Sequence, residues 1–355
     1  MWNRKENRRD HREGSMKLVR TEDAAGQVLC HDITQIIKGV TKDAVFRKGH
    51  IITEDDIPVL LSVGKDNIYI WENDETMMHE NDAAEILCAI CKGENMSRGE
   101  VKEGKIELKA ECDGVLRIDR KRLMAVNSFG QMMIAARHGD FPVRKGDKLA
   151  GTRIIPLVIE KDKMEQVKAL CGSDPIMNVI PYKECNVGIV TTGNEVFYGR
   201  IKDTFTLVVQ AKVECCGAEV TGHRITNDNN ENIENCIREL LDAGCDMILC
   251  TGGMSVDPDD KTPLAIRNVC GNVVTYGAPV LPGAMFCLAY YGENNIPVMG
   301  LPGCVMYAKR TIFDLVLPRI MTGEILHKED FDRLGEGGLC LNCEVCTFPN
   351  CGFGK

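Results

Sequence analysis

The spacing of apolar residues changes character near residue 186. Beyond that point short apolar runs alternate with stretches of helical period. Val187-Gly188-Ile189-Val190 predicts a buried strand that ends at Thr191-Thr192-Gly193. A helix is expected from about 203 to 217 and a strand over 219–225. Asp228 is expected to cap a helix whose apolar face is Ile233, Ile237, Leu240 and Leu241, closed by Gly244. Met247-Ile248-Leu249-Cys250 is the next strand and runs into Thr251-Gly252-Gly253. A helix over 262–269, short strands near 273–274, 285–290 and 297–299, and a last helix carrying Ile312, Phe313, Val316, Leu317 and Ile320 complete the series. This alternation predicts an α/β domain over 181–322 with a doubly wound, mainly parallel sheet.

The part before it reads differently. Residues 16–98 form a mixed α+β region, with helices over 54–63 (closed by Gly64) and 82–91, a turn and strand over 46–52, and a strand at 68–71. Residues 99–180 form a small β-rich module. Ile106 to Ala110 alternate at period two, Asp113-Gly114 turns, a strand follows over 115–118, and Lys145-Gly146-Asp147 makes another turn. Residues 1–15 are charged throughout, with no apolar stretch after them, and are expected to be a disordered tail, with Met16 as an alternative start. Residues 323–355 are expected to be a linker and a cysteine-bearing tail.

Composition narrows the class of protein. The 355 residues suffice for two or three domains, and 44% hydrophobic content with 5% aromatic asks for an aliphatic core. A net charge of -9 argues against general nucleic-acid binding, which needs a basic footprint, yet leaves room for a small anion held by backbone amides. Fourteen of the 18 cysteines are scattered singly or nearly so, many of them in apolar runs, as Cys250 and Cys287 are, which fits buried reduced thiols rather than disulfides. With no signal peptide and no apolar run of membrane-spanning length, a soluble cytoplasmic protein is expected, bound neither to nucleic acid nor to membrane.

Four glycine-bearing segments fall at strand ends of the α/β part: Thr192-Gly193-Asn194-Glu195, Thr251-Gly252-Gly253-Met254-Ser255, Leu281-Pro282-Gly283 and Leu301-Pro302-Gly303. In such sheets the ligand lies beyond the carboxyl ends of the strands. Glycine lets the backbone approach it, and a following helix start favours phosphate. One such loop is most often structural, whereas several on one edge point to a phosphate-bearing ligand. Asp203 and Asp260 each stand where a helix opens beside a glycine loop and are candidates for a ligand or Mg2+ role; Asp257 and Asp259 read as solvated loop residues.

Residues 183–322 resemble the molybdopterin-binding domain of molybdenum-cofactor biosynthesis proteins, and among these the molybdopterin molybdotransferases. The matching positions are Thr192-Gly193-Asn194-Glu195, Gly199-Arg200-Ile201-Lys202-Asp203-Thr204, Asp228, Thr251-Gly252-Gly253-Met254-Ser255-Val256, Asp260 with Thr262, Pro282-Gly283 and Gly300-Leu301-Pro302-Gly303. The resemblance implies a pterin dithiolene ligand with a terminal phosphate, free or adenylylated, and acidic positions that help to place Mg2+ and molybdate. It further implies catalytic roles for Asp203 and Asp260 and a homodimer. Leu281 and Ala284 stand where that family carries lysines, Cys304-Val305 where it has Asn-Pro, and Phe205 where asparagine is common. The final β-barrel domain of the transferases is not expected in the residues after Arg319, and the amino-terminal half shares only a Gly-x-Val-Leu-x-x-Asp opening at Gly26 to Asp32. The Gly-Gly loop followed by Asp259-Asp260 and Thr262 also resembles the competence/damage-inducible proteins, whose related domain cleaves a nucleotide pyrophosphate with a metal. Three functions are therefore expected in order: molybdate insertion into bound molybdopterin, a non-enzymatic cofactor carrier serving a molybdoenzyme client, and a nucleotide pyrophosphatase.

Cys340, Cys343, Cys346 and Cys351 form a C-x2-C-x2-C-x4-C run after a glycine-rich lead-in at Gly335, Gly337 and Gly338. Four thiols this close favour a metal site. The even spacing leans towards an iron–sulfur cluster, zinc is the other candidate, and a reversible disulfide or sulfur-transfer role is a third. His31, His50, His138 and His223 are isolated and read as surface or loop residues.

Overall fold

The computed structural model describes residues 16–37, 41–71, 76–255, 257 and 260–355. The expected tail at 1–15 and the loop residues Val256 and Asp259 lie outside them. Near the amino end, Met16–Arg20 pairs antiparallel with Asn67–Trp71, and Ile33–Ile37 with Thr41–Phe46. The helix Asp56–Ser62 closes over a small cluster of Ala24, Leu29, Ile33, Ile52, Leu60 and Ile68.

A second hydrophobic cluster runs from Ala83 to Val179. It joins the helix Glu80–Cys91 to a four-stranded sheet ordered Met96–Arg98, Lys105–Ala110, Lys148–Ile154, Met132–Ala136. The expected boundary at 98/99 therefore cuts through one core. The helix belongs with the strands because Ala83, Ala84, Leu87, Cys88 and Cys91 are buried in one cluster with Ile106, Leu108 and Ile154. This module also holds two helices that alternation did not reveal, Arg120–Ser128 and Lys161–Cys171. The first buries a single side chain, Val126, so it carries almost no periodic signal.

The carboxy-terminal part is the α/β domain that strand–helix alternation predicts. Its elements are β1 (Asn186–Thr192), α1 (Asn194–Phe197), α2 (Phe205–Glu214), β2 (Glu219–Thr226), α3 (Asn230–Asp242), β3 (Met247–Thr251), α4 (Thr262–Cys270), β4 (Val273–Tyr276), β5 (Cys287–Tyr291), β6 (Ile296–Leu301), α5 (Ile312–Met321) and α6 (Lys328–Asp332). The strand order is β2-β1-β3-β6-β5-β4. The pairs β1–β2, β1–β3 and β3–β6 are parallel, and β5 runs antiparallel to β6 and β4. Reversal at β5 has a consequence for the site. Cys287, the first residue of β5, is opposite Gly300 near the end of β6 and opposite Tyr276 at the end of β4. The turn at 281–286 therefore arrives at the same edge as the carboxyl ends of all the other strands.

Two hydrophobic clusters flank the sheet. On one face Ile233, Ile237 and Leu240 of α3 and Ala265 and Ile266 of α4 pack against Val190, Ile248 and Cys250. On the other, Val209 and Val213 of α2 and the almost wholly buried α5 pack against Ile189, Leu249 and Met299. The expected linker is packed rather than free. Phe331 of α6 is buried against Phe286, and Phe353 is buried in the same cluster. Gly338 has no side chain and can lie against the backbone of Leu334 and Pro279, where a Cβ would come within 2.3 Å of either carbonyl oxygen. No helix among the described residues is long and apolar enough to cross a membrane.

Candidate functional site at the strand ends

The glycine loops converge on the edge just described and are tied to one another. β1 ends in Thr191 and Thr192, both buried. The Thr192 hydroxyl lies 3.3 Å from that of Thr262, and Thr262 donates to the carbonyl of Gly252 at 2.9 Å. Gly252 (φ +87°) and Gly253 (φ +57°) bend the loop after β3 back onto β1. At Gly252 a Cβ would sit 2.3 Å from the carbonyl oxygen of Thr192, so the backbones themselves are in contact. Gly193 (φ +136°) opens α1, and its carbonyl accepts from the amides of Val196 and Phe197. Glu195 is exposed, and its carbonyl accepts from Arg200 at 2.8 Å.

Asp228 does not cap α3. That place belongs to Asn229, whose side chain accepts from the amide of Asn232. Asp228 Oδ2 instead accepts from the amide of Asn194 at 2.9 Å and pins the first loop to the end of β2. Thr204 is exposed and reaches Met306 Sδ at 3.5 Å, which joins the first loop to the turn after Leu301-Pro302-Gly303. Met254 is buried with its sulfur against Gly300, where a Cβ would come within 2.4 Å. Ser255 is exposed, and the Tyr276 hydroxyl donates to its carbonyl at 3.2 Å. Gly283 (φ +123°) seats on Ile312, the first residue of α5, with Pro282 before it. Leu301 and Pro302 are buried and Gly303 is exposed.

The two aspartates differ in kind. Asp203 sits two residues ahead of α2, and its Oδ1 accepts from the amides of Phe205 (2.9 Å) and Thr206 (3.1 Å). Its Oδ2 accepts from the hydroxyls of Thr206 and, at 3.1 Å, Thr191. Burial pushes this carboxyl up, but the hydroxyl and amide donors outweigh it and hold Asp203 below the ordinary carboxylate value. His223 on β2 completes the group, with Nε2 at 2.9 Å from the Thr191 hydroxyl and 3.6 Å from Asp203 Oδ2. It is exposed, as expected, but not isolated. Parallel pairing of β1 with β2 brings it there, and no local signal in the sequence marks it. Thr191 and Thr206 were likewise not legible as site residues. Asp260 makes no side-chain hydrogen bond among the described residues. It is partly exposed just before α4, and its amide donates to the carbonyl of Asp257.

The four tail cysteines come together in a different place. Cys340, Cys343, Cys346 and Cys351 all line one cavity of about 240 Å³. Cys343 and Cys346 are exposed, while Cys340 and Cys351 are half-buried. The amide of Phe348 and the guanidinium of Arg310 hold the Cys346 thiol below its ordinary value. Core thiols go the other way: burial pushes Cys91 and Cys287 up to about 12. All the cysteines are free thiols. Among the described residues no group of three or more His, Cys, Asp or Glu is placed so that it could hold a metal ion.

The part of the chain that carries the strand-end loops is similar to known proteins. Residues 188–322 match the family described as "Probable molybdopterin binding domain", and residues 18–72 match a domain of unknown function, DUF8806. A "CinA-like protein" of Mycobacterium avium (strain 104) is 33% identical over 93 residues, which is 26% of this chain and 21% of that protein. A "Putative competence-damage inducible protein" of Bacillus cereus (strain ATCC 10987 / NRS 248) is 30% identical over 91 residues, 26% of this chain and 22% of that protein. The match thus spans about a fifth of the length of these curated relatives. Among solved structures, the molybdopterin biosynthesis enzyme MoaB of Thermus thermophilus is 25% identical, with 39% of this chain and 98% of that one covered and a TM-score of 0.35. Residues 188–322, which carry the tied glycine loops, are thus similar to molybdopterin-binding domains.

Proposed function

We propose that the strand-end pocket binds molybdopterin through its terminal phosphate and that the protein takes part in molybdenum-cofactor biosynthesis, inserting molybdate into adenylylated molybdopterin. The observation that carries this reading is the cross-tying of the glycine loops on one edge, through Thr192–Thr262 and the Gly252–Thr192 backbone contact. Such loops present amides to an anion without adding side-chain charge, which suits a chain of net charge -9.

The residues divide the work. Gly193, Gly252, Gly253, Gly283 and Gly303 allow close backbone approach, while Ser255 and Thr204, both exposed at the rim, offer hydroxyls to the phosphate. Asp203 is a positioning residue. Its lone pairs are taken by two amides and two hydroxyls, so it does not fit the role of a metal ligand, and it holds Thr191, Thr206 and the start of α2 in place. Asp260 fits a divalent cation better, because its carboxylate makes no hydrogen bond among the described residues. One carboxylate alone is a poor cage for Mg2+, which would arrive with the ligand's phosphates and neutralise them.

Two other readings each have an observation in their favour. Leu281 and Ala284 leave the turn before β5 without a cation, as a carrier that releases its cargo to a molybdoenzyme would require. The competence-damage relatives favour a metal-dependent nucleotide pyrophosphatase. The full chain, purified anaerobically, should release AMP when given adenylylated molybdopterin, Mg2+ and molybdate. Binding of the pterin nucleotide without turnover would replace the transferase by the carrier. Cleavage of an ADP-ribose-type substrate with no pterin binding would overturn both.

A further inference from the structure

The cysteine cavity stands apart from the pterin reading. We propose that Cys340, Cys343, Cys346 and Cys351 hold a cubane iron–sulfur cluster in the cavity they line, directly behind the turn that carries Pro282 and Gly283. Size is the first argument. A lone zinc ion draws four sulfurs to about 2.3 Å from one point. Here the four cysteines line a space of about 240 Å³, which accommodates a polynuclear guest. Leu339, Phe348 and Phe353 supply apolar wall between them, and burial and hydrogen bonding around the sulfurs are what tune such a cluster.

Charge is the second. Four thiolates around a cubane in its ordinary oxidised state leave a net negative centre. Lys309 is fixed at the rim, donating to the carbonyls of Cys343 (3.0 Å) and Glu344 (2.7 Å), and Arg310 hydrogen-bonds Cys346 while its plane lies 5.0 Å from the Phe348 ring. Asp314 takes part of the Arg310 charge at 2.8 Å and orients it. Arg310 thus also serves the buried Asp314, and both cations line the cysteine cavity.

Anchoring is the third. The amide of Cys340 donates to the carbonyl of Leu281 at 2.8 Å, and the amide of Leu281 donates to Gly338 at 2.8 Å. Phe353 is buried in the domain core, and Asn350 Oδ1 accepts from Arg137 at 2.8 Å. The segment is held at both ends while its middle thiols, Cys343 and Cys346, remain open to incoming iron and sulfide. Assembly balances without a change of oxidation state from two ferrous ions, two ferric ions, four sulfides and four thiolates, the thiol protons passing to solvent.

The test uses the full chain under anaerobic conditions with ferrous iron, ferric iron and sulfide as the probes. About four irons and about four acid-labile sulfides per chain are expected, with a broad sulfur-to-iron absorption that bleaches on reduction. The double variant Cys343→Ser, Cys346→Ser removes two exposed thiols and should keep the wild-type circular dichroism while losing iron at least tenfold. Cys215→Ser, an exposed cysteine elsewhere, should retain it. One zinc per chain without sulfide, or equal iron on wild type and double variant, would overturn the proposal. Neither outcome bears on pterin binding, so the two readings fail separately.

Discussion

Gly252 and Thr192 meet backbone to backbone: a Cβ on Gly252 would lie 2.3 Å from the Thr192 carbonyl oxygen and 2.8 Å from its hydroxyl. The loop after β3 and the end of β1 are thereby fused at one edge of the sheet.

Substituting Gly252→Ala forces the two strands apart in a conformation, φ +87°, that alanine adopts with strain. A loss of about 2 kcal/mol or more in urea unfolding is expected, together with weakened binding of the pterin phosphate. Wild-type stability in this variant would show that the two loops are not in contact.

Asp203 tests the distinction between holding and reacting. Asp203→Ala should cost about 2 kcal/mol, since it strands two helix-start amides and two hydroxyls. Asp203→Asn should cost less, because a carbonyl oxygen still receives the amides. The carboxyl is held below its ordinary value, so its contribution is present above that value and is lost as pH falls through the folded one. The alanine variant should therefore show a flatter acid limb in a stability–pH profile. Full stability combined with lost turnover would instead make it a catalytic group.

The opposite outcome is expected at Asp260. With no side-chain hydrogen bond among the described residues, Asp260→Ala should unfold within about 0.5 kcal/mol of wild type. AMP release should nevertheless be abolished, and the apparent affinity for Mg2+ in the presence of the ligand should fall. Unchanged turnover would remove Asp260 from the site.

Glu80 carries a pH dependence remote from the pocket. Burial, opposed by Arg153 and reinforced by Glu103, raises its carboxyl from 4.5 to about 7. A raised acid favours the folded state at low pH: its contribution is complete below the ordinary value and is lost as pH rises through about 7. Such a shift is worth about 3 kcal/mol at full strength, and about 1–2 kcal/mol once the water at a half-buried group is allowed for. Glu80→Gln should abolish this slope between pH 5 and 7 in equilibrium unfolding. An identical slope in the variant would place the titration elsewhere.

Much of the α/β domain was legible because its signals are local. A glycine that must take positive φ and an apolar face at helical spacing are each written within a few residues, and the observed bounds of α3 and α4 follow them closely. The small module was less legible. Arg120–Ser128 buries one side chain, and the helix Glu80–Cys91 declares its partner sheet only through contacts with strands that come later in the chain. Asp228 shows how near a local rule can come and still miss, since the neighbouring Asn229 takes the cap and frees Asp228 for Asn194.

What the sequence by itself determined is therefore the inventory: which strands end in glycine loops, which ligand class those loops suit, and that four cysteines fall in one short run. Tertiary structure alone decided the company each residue keeps. It placed His223 beside Asp203 and Thr191, turned the expected linker into a packed segment joined to Leu281, and brought four cysteines to the lining of one cavity. The physical reason is range. Turn and helix preferences act over a few residues, whereas strand pairing and burial choose partners tens to hundreds of residues away, and these carry no mark in the local pattern.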